Sequence, residues 1–346
     1  MSDTGPVRTP IDAAVLAEWM AREVAGFEGP IEIAQFKGGQ SNPTYLLTTP
    51  GTRFVLRKKP PGPLLRGAHD VLREARVMRA LAGTPVPVPP VAAVCEDDGV
   101  LGSAFFVMAM VEGRIFWDAK LPSLPADDRA AYFDAMNATI AALHSVDWTA
   151  VGLADFGRPG NYFERQIARW SKQYVEDVDA PRDANMDALV AWLPTAIPPG
   201  EETSIVHGDF RCDNLIFDPS EARVAAVLDW ELSTLGHPLA DFAYHCLMYR
   251  MPANMFAGLG GEDPAALGLP GERDYVATYC QRTGRSAIPN WDFYIAFNFF
   301  RLAAILHGIA GRVARGNASS AQALERAAQF PALAQLARRA MEQCEA

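Results

Sequence analysis

With 346 residues the chain is long enough for two lobes with cores of their own, and 49% hydrophobic and 21% charged residues exclude a disordered or fibrous polymer. A net charge of −10 with no basic stripe argues against nucleic acid as a partner. Five scattered cysteines with no CxxC pair exclude a disulfide or zinc framework, and Met1–Pro10 has no apolar signal-peptide core, so a reducing, cytoplasmic setting is expected.

Ile11, Val15, Leu16, Trp19 and Met20 recur at helical spacing and predict an opening helix over 11–25. Strands are expected near 31–36, 43–49 and 53–58. The turn between the first two, Lys37-Gly38-Gly39-Gln40-Ser41-Asn42, suits either an ordinary hairpin or a loop whose backbone amides approach phosphate, with Ser41 and Asn42 as added donors. A helix follows over 69–82, then strands over 86–94 and 104–111. Beyond about 113 the pattern is mainly helical: 127–145, 161–178, 183–193, 239–249, 272–283, 290–314 and 319–343. The apolar stretch Trp291–Ile309 contains Asp292, Asn298, Arg301 and His307, so a buried helix is expected and no membrane span. The Gly- and Pro-containing run Ala257–Gly271 reads as a loop, either bordering an acceptor pocket or simply connecting two helices.

Between these helices lies the run His207-Gly208-Asp209-Phe210-Arg211-Cys212-Asp213-Asn214, with Asp229 ending a later apolar segment, Val224–Leu228. HGDxxxxN followed by D is the catalytic-loop pattern of kinase-like phosphotransferases. Phosphoryl transfer needs an acceptor hydroxyl held in line and a metal on the nucleotide phosphates. Asp209 is placed to take or orient the hydroxyl proton. Asn214 and Asp229, carried by two adjacent short strands, offer the oxygen ligands that Mg²⁺ prefers. Arg211 could reach a phosphoryl group or could be a solvated loop residue.

These residues, with Phe36–Tyr45, Phe54–Pro60, Asp229-Trp230-Glu231 and Gly236-His237-Pro238 to Asp241, give the chain a resemblance to the aminoglycoside phosphotransferase/choline kinase superfamily. The branch it resembles is that of the kinase-like domains fused to acyl-CoA dehydrogenases; Phe300–Ile309 fits that branch as well. The resemblance covers about residues 30–315. It implies an α+β, bilobal, protein-kinase-like fold: an N-terminal nucleotide-binding lobe over 1–111, with an antiparallel sheet plus helix, and a mainly helical catalytic and acceptor-binding lobe over 112–346.

The resemblance also implies the remaining roles. ATP and Mg²⁺ are the expected cofactors, and Gly39, Ser41 and Asn42 would approach the phosphates. Strand 53–58 takes the place of the kinase strand that bears the phosphate-pairing lysine. Alternation turns Phe54 and Leu56 to the core, which selects Arg57 for that task, with Lys58 as the alternate. Glu74 would partner Arg57, and the backbone around Met108 and Met110 would meet adenine. Asp241 would tether the catalytic loop, His207 would orient it, and His144 is expected to pack. Trp-Glu after Asp229, in place of Phe-Gly, and the absence of an Ala-Pro-Glu segment argue against an ordinary protein kinase. The expected activity is phosphorylation of a hydroxyl on a small molecule, aminoglycoside-like or hydroxyacyl-CoA-like. A catalytically silent nucleotide-binding module is the alternative, motivated by arginine at the lysine position.

Overall fold

The structure is a computed structural model and describes residues 4–37, 42–60, 70–316 and 321–344. In chain order the first stretch runs β1 (Thr4–Gly5), α1 (Ala13–Glu23), β2 (Glu32–Phe36), β3 (Thr44–Thr48), β4 (Arg53–Lys58), α2 (Val71–Leu81), β5 (Val91–Cys95), α3 (Asp98–Leu101) and β6 (Phe105–Ala109). The middle runs α4 (Ala126–His144), α5 (Tyr162–Glu176), α6 (Ala184–Trp192), β7 (Ser204–Val206), β8 (Leu215–Phe217), β9 (Val224–Val227) and β10 (Thr234–Gly236). The chain closes with α7 (Pro238–Cys246), α8 (Glu272–Arg282), α9 (Trp291–Ala314), α10 (Ala321–Ala328) and α11 (Phe330–Cys344).

The chain forms two compact units. The first takes Met1–Ile115, Thr149–Leu153 and Asp213–Ser233. Its sheet has the order β1-β2-β3-β4-β6-β5, antiparallel throughout. Asp12 caps α1 by accepting the amides of Ala14 and Val15 at 2.9 and 3.1 Å. That start turns Leu16, Trp19 and Met20 onto a core built from Tyr45, Leu47, Phe54, Leu56, Phe105 and Val107. Phe54 and Leu56 lie in this core, as the period of two requires, so Arg57 projects from the other face of β4. Asp70 caps α2 by accepting the Arg73 amide at 3.1 Å.

A single cut at 111/112 leaves out two later segments that pack with the first unit. The 213–233 segment is bound there by backbone pairing. Arg114 and Phe217 exchange two N–H···O bonds of 2.8 Å, and the Val227 amide donates to the Pro87 carbonyl at 2.9 Å. A side chain on Gly113 would collide with the Phe217 carbonyl oxygen at 2.2 Å, so this close strand approach needs glycine.

The second unit takes Phe116–Trp148, Ala154–Cys212 and Thr234–Ala346. Its core helix α9 is long and apolar enough to cross a membrane by length and composition, yet 72% of its most apolar window is buried inside the protein. The short strands β7 and β10 pair antiparallel and bracket the catalytic-loop sequence. They were not predicted, because three-residue strands carry almost no periodicity. The expected helix over 319–343 is two helices, α10 and α11. Pro331 explains the break: it lacks an N–H and is tolerated only in a first helical turn, which it occupies in α11.

Candidate active site

The predicted site residues divide between the two units. In the first unit they converge on Arg57. Its Nε lies 2.9 Å from Glu74 Oε2, its Nη2 donates to Asp229 Oδ1 at 2.5 Å, and the same nitrogen is 3.8 Å from Glu231 Oε2. Arg57 and Glu74 are almost fully buried, with side-chain exposures of 11% and 2%. Glu74 sits on the inward face of α2, on the helix stripe with Val71, Ala75 and Met78. Burial raises its pKa to about 7; Arg57 opposes this, Asp229 and Glu231 reinforce it, and the Trp230 amide, donating to it, opposes it. For Arg57, burial favours the neutral form, but Glu74, Asp229 and Glu231 outweigh it and raise the pKa.

Asp229 adopts a left-handed conformation, φ 64°, which Asp tolerates better than most residues. The turn it makes starts the 3₁₀ segment Trp230–Leu232, whose buried indole donates from Nε1 to the Val227 carbonyl at 2.9 Å. Asn214 stands on the neighbouring strand end. Its carbonyl accepts the Leu228 amide at 2.8 Å, beside Asp229 in sequence. The structure thus brings Asn214 and Asp229 to adjacent strand ends, as the two-strand reading requires.

Several expectations need revision. Asn42 is fully buried, and its Nδ2 donates to Glu231 Oε2 at 3.3 Å, so the donor assigned to phosphate is already used. Gly39 and Ser41 lie outside the described residues. Lys58 occupies the core face of β4 and is buried, with its pKa lowered by burial against the opposing charge of Asp98. That face therefore does admit a lysine, and Arg57, not Lys58, joins the carboxylates. Met108 pairs with Val55 in the sheet, and the Met110 amide donates to the Arg53 carbonyl at 3.1 Å. The Met110 N–H is therefore spent within the sheet and is not presented to adenine.

In the second unit the loop 207–211 is fixed residue by residue. Asp241, in the first turn of α7, accepts the His207 amide at 2.7 Å on Oδ2 and the Gly208 amide at 2.8 Å on Oδ1. His144 Nε2 lies 3.2 Å from Asp241 Oδ2, while its Nδ1 meets the Tyr279 hydroxyl at 2.7 Å. Burial raises the Asp241 carboxyl, yet His144, His207 and the backbone donors outweigh it and leave the pKa lowered. His207 Nδ1 accepts the Asp209 amide at 3.2 Å, which matches a loop-orienting part. The Phe210 carbonyl lies 3.1 Å from His245 Nδ1. Asp209 itself accepts from the Tyr244 hydroxyl at 2.5 Å on Oδ1, with Arg211 Nε 3.7 Å from the same oxygen. Arg301 Nη2 donates to the Gly208 carbonyl at 3.2 Å.

Three residues here had no role in the sequence reading: Glu231, Tyr244 and Arg301. Signals for two of them existed. Tyr244 follows Asp241 by three on one helix, so the two share a face. Arg301 is a charge in the apolar middle of a 24-residue helix, a placement that needs a partner. Glu231 offered only its closeness to Asp229.

The residues fit a magnesium–nucleotide by their charge. One guanidinium stands among three carboxylates, and a buried acceptor, Asn42 Oδ1, has no hydrogen-bond partner. Such a cluster is short of positive charge, which a divalent cation supplies. No cluster of three or more His, Cys, Asp or Glu residues suited to a metal occurs among the described residues, so the protein alone does not build a closed cage. An open site completed by phosphates is what Mg²⁺ usually takes.

Comparison with known proteins adds the following. The sequence profile of the phosphotransferase enzyme family matches residues 32–293. Mouse acyl-CoA dehydrogenase family member 10 is 46% identical over 313 residues, covering 89% of this chain and 29% of the relative. Chicken acyl-CoA dehydrogenase family member 11 is 42% identical, covering 94% of this chain and 43% of the relative. The chain thus spans less than half the length of these relatives. A crystal structure from Ralstonia eutropha JMP134, named provisionally as an aminoglycoside phosphotransferase, is 50% identical with a TM-score of 0.90, covering 96% of this chain and 99% of that one. The aminoglycoside phosphotransferase APH(4)-Ia, solved with AMP-PNP and hygromycin B, is 17% identical with a TM-score of 0.61, covering 94% and 97%, and shares the fold.

Proposed function

The chain belongs to the phosphotransferase enzyme family, and from that premise we propose that it is an ATP- and Mg²⁺-dependent kinase acting on a hydroxyl of a small molecule. The observation that carries this reading is the buried Arg57, shared between Glu74 at 2.9 Å and Asp229 at 2.5 Å. A structural ion pair needs one carboxylate. An arginine held by one and aimed at a second, half-exposed one is placed to serve a ligand at that second group.

Arg57 is the phosphate-pairing group, oriented by Glu74, while Asn214 and Asp229 are the groups that would hold Mg²⁺. When bound, the ion neutralises phosphate charge and fixes the nucleotide for in-line transfer. Glu231 holds Asn42 and so ties the residues leading into β3 to the Asp229 segment. Since the Met110 amide is spent on the Arg53 carbonyl, the adenine contact falls to the backbone beyond β6. Asp209 orients the acceptor hydroxyl and takes its proton, on a loop that Asp241 keeps in register. None of the five cysteines is in a disulfide, which suits a cytoplasmic setting.

For the acceptor, the guanidinium of Arg211 beside Asp209 and that of Arg301 on Gly208 disfavour a polycation. They favour a neutral or anionic alcohol, so a hydroxyacyl-CoA-like acceptor ranks above an aminoglycoside. The test is ADP release from Mg-ATP across hydroxyacyl-CoAs, aminoglycosides, choline-like alcohols and sugars, with Asp209→Asn as control. Release with a hydroxyacyl thioester that disappears in the variant is the expected result. Equal release in the variant removes the assignment. The silent alternative rests on arginine standing where kinases carry lysine. It predicts Mg-ATP binding with no release for any acceptor.

A further inference from the structure

Asp209 does not stand by itself in its loop. The Tyr244 hydroxyl donates to Asp209 Oδ1 at 2.5 Å, the short end of the range for a hydroxyl donating to a carboxylate. The Tyr244 ring in turn has the Arg301 guanidinium carbon 5.5 Å from its centroid, a cation–π distance, and Arg301 Nη2 grips the Gly208 carbonyl at 3.2 Å. Tyr244 and Asp241 lie three residues apart on α7. One helix face therefore holds the backbone of the loop through Asp241 and its key side chain through Tyr244.

We propose that Tyr244 is a positioning residue: its hydroxyl, steadied by Arg301, fixes the rotation of the Asp209 carboxylate for the acceptor hydroxyl. The inference rests on the reading of Asp209 as the base. Other tyrosines spend the hydroxyl away from Asp209: Tyr249 on the Pro270 carbonyl, Tyr45 on the Thr9 carbonyl, Tyr279 on His144, and Tyr174 on the Asp183 carbonyl and the Asp187 carboxylate. Tyr244 instead spends it on a carboxylate that is 26% exposed and could have been hydrated by water. Burial, and then Asp209, push the Tyr244 phenol well above its ordinary range, so it remains a donor at any working pH. Arg211, more exposed at 39%, has its Nε 3.7 Å from the same Asp209 oxygen.

The test uses the full chain, with Tyr244→Phe, 4-aminophenylalanine at position 244, and Asp209→Asn. In the proton NMR spectrum the Tyr244 hydroxyl should appear as a far-downfield, slowly exchanging resonance in the wild type, absent from Tyr244→Phe and displaced upfield in Asp209→Asn. ADP release from Mg-ATP with water as the acceptor should fall about tenfold in kcat in Tyr244→Phe, with KM for ATP and Tm unchanged, and recover with the aminophenyl donor. A Tyr244→Phe rate equal to wild type, or a downfield proton unmoved by Asp209→Asn, overturns the proposal. Wild-type release in Asp209→Asn with the proton displaced removes the base reading itself while leaving the Tyr244–Asp209 contact established.

Discussion

The two clusters of candidate residues, one in each unit, solve opposite electrostatic problems. Around Arg57, one guanidinium faces Glu74, Asp229 and Glu231, so negative charge exceeds positive. Around Asp241, a single buried carboxylate takes two backbone amides and a histidine, and little is left unbalanced. A charge-deficient cluster is poor packing but good preparation for a cationic ligand. A satisfied carboxylate holds a loop still and invites nothing. Under the proposed function, the difference teaches that the loop bearing Asp209 is built in advance by the protein, while the Arg57 cluster is completed by what binds there.

The comparison can be broken at several points, and the largest effect is expected at Asp209. Asp209→Asn should reduce ADP release by on the order of 10²–10⁴-fold, measured against the acceptor that works best for the wild type. Residual turnover close to wild type would remove Asp209 from the chemistry.

Next comes the tether. Asp241→Asn replaces an acceptor of two amides by a group that must turn a donor toward one of them. We expect a loss of about 3 kcal/mol in urea unfolding, since the site is buried and charge-assisted. A smaller loss than for an average surface substitution would show that the loop holds without it.

A milder steric probe is Gly236→Ala at the end of β10. Its Cβ would lie 2.8 Å from both Tyr162 Cε2 and Val206 Cγ2. The expected cost is about 1–3 kcal/mol, read as a lower Tm, and an unchanged Tm would mean the β7–β10 contact is slack.

The smallest effects are in pH dependence, and their signs differ between the halves. Glu74 has its pKa raised by burial to about 7, so its contribution to stability is fully present below the ordinary 4.5 and is lost as pH rises through 7. His237 and His245 are lowered by burial to about 4, so their contribution is present above 6.5 and is lost as pH falls through 4. Urea unfolding across pH should therefore flatten between 4.5 and 7 in Glu74→Gln and on the acid side in His245→Gln. Parallel curves for variant and wild type would deny the assigned shifts.

Much of this was legible in the sequence. The catalytic block and Asp241 are short-range patterns whose spacing is set by strand and turn geometry, and the period of two placed Arg57 on the correct face. Glu74 is different: nothing in the helix pattern marks it as inward-facing, and only the resemblance paired it with Arg57. Tyr244 and Arg301 were missed because their importance is tertiary, in the meeting of α7, α9 and the loop. The segment 213–233 was assigned to the wrong unit for the same reason, since Arg114 and Phe217 pair across about 100 residues of chain.

The most direct test of this division of labour is calorimetric titration of Mg-ATP into wild type, Asp209→Asn and Asp229→Ala. The account predicts that Asp209→Asn binds as wild type does, and that Asp229→Ala binds at least tenfold more weakly and no longer responds to Mg²⁺ removal. Binding by Asp229→Ala equal to wild type, or loss of binding in Asp209→Asn, would contradict it.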